Sequence, residues 1–182
     1  MNALISLHDR LSDGLARLAP ELLPLFARLT FAGVLVMYFW ASGLTKLGDG
    51  IFGLVSPAIG AYSQIFPKAL EAAGYDTSQL GLYHWAVVVA GTWAEFLLPL
   101  LIVIGLFTRL AALGMIGFVV VQSATDVWGH GVGGDTLGTW FDRASDAVIL
   151  DQRALWVLLL LVLAMLGAGR LSLDSALSGA RR

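Results

Sequence analysis

The sequence predicts an all-α integral membrane protein: a four-helix bundle with an N-terminal amphipathic helix and two long outer loops carrying short interfacial helices. Two observations predict this fold. The 182-residue chain is 58% hydrophobic and only 13% charged, whereas soluble domains carry about 25% charged residues. It also contains four long apolar runs, and a helix needs roughly 20 apolar residues to cross a bilayer. The predicted spans cover residues 23–44, 83–106, 108–127 and 153–171.

Residues 1–19 are predicted to form the amphipathic helix. Leucines recur there at spacings of three and four, opposite charged residues, which is typical of a helix lying in the membrane interface. Packing against the end of the bundle is an equal alternative. The charges in its middle argue against a signal peptide. We expect Pro20 and Pro24 to break the chain before the first span. The apolar stripe consists of Leu4, Leu7, Leu11, Leu15 and Leu18.

The bundle is assigned to residues 20–174 and a cytoplasmic tail to 175–182. Four spans place both termini on one side, where arginines are in excess over acidic residues, and the positive-inside rule makes that side cytoplasmic. The loops Gly48–Leu82 and Gly129–Asp151 then lie outside. Each loop contains an apolar stretch that we interpret as a short surface helix. Aromatic residues form a predicted interfacial belt at the outer ends of the spans: Trp40, Trp85, Trp128 and Trp156.

Glu95 is the main candidate site residue, because a carboxylate within an apolar span must face the bundle and have a partner. Arg28, in the antiparallel first span, is its predicted partner. Such a pair either fixes helix register or handles protons and a ligand. Pro99 removes the hydrogen bond that the carbonyl of residue 95 would normally accept. Trp93 lies near mid-membrane, where the aromatic belt does not explain it.

Further polar residues flank the outer half of the bundle. Lys46 lies just beyond the first span, where it either extends to the interface or guides an anion to the site. Gln122, Asp126 and His130 are spaced by four and would share one face if the third helix continues that far. Glycines around His130 argue against this continuation, and we predict no metal site.

The chain resembles the DoxX family from about Arg28 to Asp174. Three segments show the resemblance: RLTFAGVLVMYFWASGLTKL in the first span, AEFLLPLLIVIGLFTR in the second, and the closing GAGRLSLD. The chain departs at Gly167–Gly169, where relatives often have Gly-Pro-Gly. The resemblance implies a multi-pass protein of the bacterial inner membrane. Relatives include the membrane subunit of thiosulfate:quinone oxidoreductase and members associated with thiol and oxidative-stress defence.

Three functions remain open at this point. The first is a quinone-linked redox component that binds quinone near Trp93, Glu95 and Arg28, with electrons from a sulfur substrate or a redox partner. The second is a non-enzymatic membrane anchor for a separate redox or stress-defence protein. The third is small-solute transport. The absence of cysteine excludes a CxxC pair and cysteine-ligated clusters. We expect a lipid bilayer and no nucleic acid as partners, and small residues in the spans suit bundle packing or a homo-oligomer contact.

Overall fold

The computed structural model describes residues 2–179, and the predicted four-span helical bundle is confirmed. Four helical segments are long and apolar enough to cross a membrane: Ala3–Leu44, Leu82–Ile104, Thr108–Gly129 and Val148–Leu166. Arg181 and Arg182, which contributed to the predicted cytoplasmic tail, lie outside the described residues. The helices are α1 (Asn2–Val34), α2 (Val36–Leu44), α3 (Ile59–Ile65), α4 (Pro67–Ala72), α5 (Leu82–Ile104), α6 (Thr108–Ala124), α7 (Gly134–Leu137), α8 (Arg153–Leu166) and α9 (Leu173–Gly179).

The four spans form a closed ring around an apolar core. The α1–α2 span packs on α5 and α8, and α6 closes the ring between α5 and α8. Small residues of α6 let its neighbours approach closely, while large side chains from the first span fill the centre. The fully buried members of this core include Phe31, Phe39, Ile102, Ala112, Met115, Leu160 and Leu163.

The two ends of the bundle differ, and we name them by what they carry. The terminus end carries α9, the 105–107 turn and the start of the first span. The loop end carries the 45–81 and 130–152 connections. In the first connection, α3 and α4 cover the upper part of α5 through a second small core, formed by Ala61, Tyr62, Leu70 and Val88.

The predicted break at Pro20 and Pro24 is wrong, because α1 runs through both prolines from Asn2 to Val34. A proline within a helix removes one hydrogen bond but does not by itself end the helix. Pro24 is buried and packs against Gly169. A Cβ atom added to Gly169 would lie 3.2 Å from Pro24 Cβ. The chain beyond it, towards the N-terminus, is almost entirely exposed.

In and around the 130–152 connection, helices begin and end at residues other than those that the sequence predicts. The helix there spans only Gly134–Leu137, and the chain from 138 to 147 is irregular. The fourth span begins at Val148 with a π-helical turn and ends at Leu166, earlier than the predicted 153–171. Gly167 and Gly169 have positive φ angles, of 81° and 74°, which end the helix there. The third helix continues through a π-helical turn, Thr125–Gly129.

Candidate functional site

A buried ion pair between Lys46 and Glu95 lies between the first and second spans. Lys46 Nζ is 2.9 Å from both carboxylate oxygens of Glu95. The two side chains are only 5% and 3% exposed. Ser42 completes the group, because its Oγ donates to Glu95 Oε1 at 2.9 Å and lies 2.7 Å from Lys46 Nζ. Every charge in this cluster therefore has a partner.

Local structure explains how Lys46 reaches the carboxylate. Helix α2 ends at Leu44, and the side chain of Lys46 folds back by one turn to Ser42. Helices α2 and α5 approach closely because Gly43 lacks a side chain: a Cβ atom there would lie 2.7 Å from Phe96 Cζ. A larger residue at 43 would push the helices apart and separate the ion pair.

The predicted Arg28–Glu95 pair is therefore wrong. Arg28 lies at the terminus end, where it donates only to backbone carbonyls in the described structure. Its Nε donates to Ile102 O at 3.1 Å and its Nη2 to Val103 O at 2.6 Å, both at the end of α5. Its Nη1 donates to the carbonyls of Ala168 and Leu171. The reason is that a helix C-terminus leaves carbonyls without partners, and a guanidinium can satisfy several at once.

A cavity of about 450 Å³ adjoins the Lys46–Glu95 pair, between α5 and α6. Most of its wall is apolar, with Val87, Leu98 and Phe118 among the larger side chains. Small residues open it: a Cβ atom at Gly117 would meet no other atom within 4 Å. The polar side chains that line it are Ser42, Lys46, Gln64, Glu95, Gln122, Thr125, Asp126 and His130.

Gln122 is the unsatisfied polar group of this cavity. Its Nε2 donates to Tyr38 Oη at 2.9 Å, while its Oε1 is buried without a hydrogen-bond partner among the described residues. Amide orientation is set by the hydrogen-bond network, so rotation of the amide would leave Nε2 free instead. In either orientation Gln122 keeps one polar atom available, because Tyr38 satisfies only one of the two.

Asp126 lies one turn further along and is held from the fourth span. Arg153 Nη2 is 2.7 Å from Asp126 Oδ2, and Arg153 Nη1 donates to Ser123 Oγ at 3.1 Å. His130 contacts the carbonyl of Gln64 through Nε2 at 3.0 Å. The π-helical turn lets Gln122, Asp126 and His130 line the same cavity. In residues 2–179 no group of three His, Asp or Glu side chains is arranged to hold a metal ion.

Trp93 holds a loop and does not line the cavity. Its Nε1 donates to Leu54 O at 3.2 Å, and Trp85 Nε1 donates to Val55 O at 2.8 Å. The loop itself is tight, since Gly48 N donates to Gly53 O and a Cβ atom at Gly48 would lie 1.9 Å from Ser56 O. Both indoles thus fix the 48–56 loop against α5, close to Lys46.

Asp174 organises the terminus end together with Arg28. Its carboxylate accepts hydrogen bonds from the backbone N–H groups of Phe107 at 2.8 Å and Thr108 at 3.0 Å, which caps the start of α6. Burial raises the pKa of Asp174, but the hydrogen bonds from Thr108 and Phe107 and the charge of Arg28 outweigh it, so the net pKa lies below its ordinary value. Gly105, with φ of 70°, makes the turn, and a Cβ there would lie 2.6 Å from Ser172 Cβ.

The comparison with known proteins decides the family. A family model for DoxX matches residues 23–130, more than half of the chain. The chain belongs to the DoxX family. No curated protein and no solved structure matched it. It is accordingly a multi-pass membrane protein of the DoxX type, as the resemblance predicted.

The distinctive residues of the matched region, together with Asp174 beyond it, fall into two places in this structure. Arg28, the Gly105–Arg109 turn and Asp174 meet at the terminus end, where they connect the first span, the α5–α6 turn and α9. Lys46 and Glu95 meet at the cavity. The first group holds the terminus end of this bundle together, while the second provides the chemically distinctive site.

Sequence reasoning missed two members of the site. Ser42 has a detectable signal, because it precedes Lys46 by one helical turn and so lies on the same side. Arg153 has a weaker one: it opens the fourth span, but nothing in the sequence indicates that it reaches Asp126 on α6. Trp93 and Arg28 were predicted as ligand-binding residues, and the structure places both of them away from the cavity wall.

Proposed function

We propose that this DoxX protein binds a quinone in the α5–α6 cavity and exchanges its protons through the Lys46–Glu95 pair. The observation that supports this most is the combination of an apolar cavity of about 450 Å³ with a buried ion pair at its wall. Ligand cavities are typically about 300–1,000 Å³, mostly apolar, with a few convergent polar groups. A quinone combines an apolar ring and tail with two polar oxygens, which matches this wall.

The polar groups suit the two oxygens of such a ring. A quinone oxygen at this wall would share Lys46 and Ser42 with the carboxylate of Glu95, to which both already donate, and Gln122 offers a further polar atom. When quinone is reduced, the ammonium of Lys46 is a proton donor; in the reverse direction, the carboxylate of Glu95 is the base that accepts the proton of a quinol. Asp126 and His130 extend the polar wall towards the loop end.

The chain contains no cysteine, so no thiol of its own supplies the electrons. We propose a thiol or reduced-sulfur donor, presented by a partner protein. With a thiol donor the balance is 2 RSH + quinone → RSSR + quinol: the sulfur atoms lose two electrons, and the quinone gains those electrons and two protons. The protein would position the quinone and carry its protons.

A second candidate is a membrane anchor or assembly partner without catalytic activity. The complete hydrogen bonding among Lys46, Glu95 and Ser42 favours it. A buried cluster in which every charge is paired needs no ligand, and fixing the helices against each other is then a sufficient role. Small-solute transport is a weaker alternative, with no observation specific to it. The two main candidates differ in whether the cavity holds a ligand.

Native-lipid purification separates these candidates. The wild-type protein, extracted into nanodiscs with its own membrane, should retain quinone that chromatography of a lipid extract can measure. Gly117→Leu should lower the quinone-to-protein ratio about tenfold or more, because the side chain fills open space in the cavity. Gly33→Leu is the matched control, as position 33 also has open space but does not line the cavity. Equal quinone content in all three proteins would support the anchor instead.

We also propose that the terminus end faces the cytoplasm of a bacterial inner membrane. Arginines are in excess there, and acidic residues are in excess at the loop end. A cysteine introduced at Gly133 should react with an impermeant maleimide added to intact cells, after the outer membrane is permeabilised where one exists. A cysteine at Ser178 should react only after lysis. Labelling of Ser178→Cys alone in unlysed cells would reverse the orientation.

A further inference from the structure

Helix α1 carries one uninterrupted apolar stripe from the exposed N-terminal segment into the membrane span. At about 100° per residue, the leucines of residues 4–18 lie on the same face as Leu22, Phe26 and Leu29. Leu22, Phe26 and Leu29 are exposed on the outside of the bundle, on the side where a membrane-spanning helix would meet lipid. The five leucines of the N-terminal segment are each more than half exposed: Leu4, Leu7, Leu11, Leu15 and Leu18. The exposed stripe is therefore continuous with the lipid-facing surface.

The two prolines of α1 lie on the opposite face of the helix. Pro20 and Pro24 share the side of Ala27 and Phe31, which point into the bundle core. A proline ring pushes away the carbonyl four residues earlier and removes a hydrogen bond, which opens the helix on the proline side. The helix therefore bends most easily towards the stripe, outward from the bundle.

We infer that residues 3–19 form an arm that bends outward at Pro20–Pro24 and lies on the bilayer surface beside the bundle. An outward bend turns the lipid-facing stripe towards the membrane surface and the polar face towards water. Without the bend, the arm would extend about 25 Å beyond Pro20 with its leucines in water. Burying those leucines in the interface removes this apolar surface from water.

The polar face of the arm indicates which surface it recognises. Asp9 and Asp13 are balanced by Arg10 and Arg17, so the arm has little net charge of its own. Binding should depend on the apolar stripe and not on anionic lipid headgroups. The stripe contacts the boundary between the acyl chains and the headgroups, in the membrane leaflet at the terminus end. This inference is independent of the quinone proposal, because it concerns the other end of the molecule.

Spin labels on single cysteines test the arm in the full-length protein, reconstituted in phosphatidylcholine vesicles. The chain has no native cysteine. A nitroxide at Leu11 should collide several-fold more with oxygen than with an aqueous nickel complex, and one at Asp13 should show the reverse preference. A second pair, Leu15→Cys and Arg17→Cys, should repeat the contrast if one of the first variants folds poorly.

The hinge has its own test in the same assay. Replacing Pro20 and Pro24 with alanine restores the missing backbone hydrogen bonds and should move the Leu11 label into water, so that nickel collisions rise severalfold. Nickel access to Leu11 and Asp13 alike in the protein with both prolines would overturn the inference. Protection of Leu11 from oxygen and nickel, with spin–spin broadening between copies, would also overturn it and indicate a helix pair between two molecules.

Discussion

Replacing Lys46 with methionine should destabilise the protein by about 3–5 kcal/mol, because the substitution leaves the Glu95 carboxylate buried without its cation. Glu95→Gln should cost less, since the amide oxygen still accepts hydrogen bonds from Ser42 and Lys46. The double variant Lys46→Met, Glu95→Gln should be milder than the sum of the two single variants. Reversible unfolding in mixed micelles measures all three.

Lys68→Met is the matched control for this double-mutant cycle. Lys68 is exposed on α4, so its loss should change stability by about 0.5 kcal/mol or less. Losses from Lys46→Met and Glu95→Gln that are strictly additive would show that the two residues do not interact. The expected coupling thus tests the contact that replaces the predicted Arg28–Glu95 pair.

Removing the guanidinium of Arg28 should have an effect of similar size at the terminus end. Arg28→Met leaves four carbonyls of two chain segments without their donor, and we expect a loss of about 3–5 kcal/mol. Arg28→Lys should recover little of it, because an ammonium cannot reach carbonyls in several directions from one position. Unfolding of both variants, with the exposed Arg143→Met as the control, measures the effect.

The Arg28 variants also separate structure from ligand binding. If Arg28 acts only on the backbone, its variants should weaken the fold while quinone retained by the folded fraction stays unchanged. Wild-type stability of Arg28→Lys would contradict the role that the hydrogen bonds indicate. Loss of quinone from fully folded Arg28→Lys would instead support the ligand-binding role predicted from the sequence.

The spans and the family were predictable because both depend on features that extend over many residues, such as mean hydropathy and the order of motifs. Apolar runs of about 20 residues identify membrane helices almost regardless of detail. A short helix in the apolar stretch of the first loop was predictable from the interruption near Ser56–Pro57, and it forms at Ile59–Ile65, whereas α4 was not predicted. The helix break predicted at Pro20 and Pro24 was wrong because a proline weakens a helix without necessarily ending it. The contact of Pro24 with Gly169 is tertiary, so the local sequence does not reveal it.

The partner of Glu95 was not predictable in the same way, because depth along a span depends on where each helix begins. Helix α5 starts at Leu82, about 20 Å before Glu95. Its first turns pack against α3 and α4 and so extend beyond the end of α2. The end of α2 consequently lies level with Glu95, and Lys46 reaches it. The sequence pattern within one span does not indicate how far that span is shifted along the bundle axis relative to its neighbour.

Photoaffinity labelling with an azido-quinone tests the central claim most directly, because it reports where a quinone binds. In native-lipid nanodiscs, the label should attach to peptides from residues 87–98 and 114–126, which line the cavity, and excess unlabelled quinone should compete with it. Gly117→Leu should abolish this labelling and Gly33→Leu should retain it. Labelling that is spread over the lipid-facing surface, or that persists in Gly117→Leu, would contradict a quinone site beside Lys46 and Glu95.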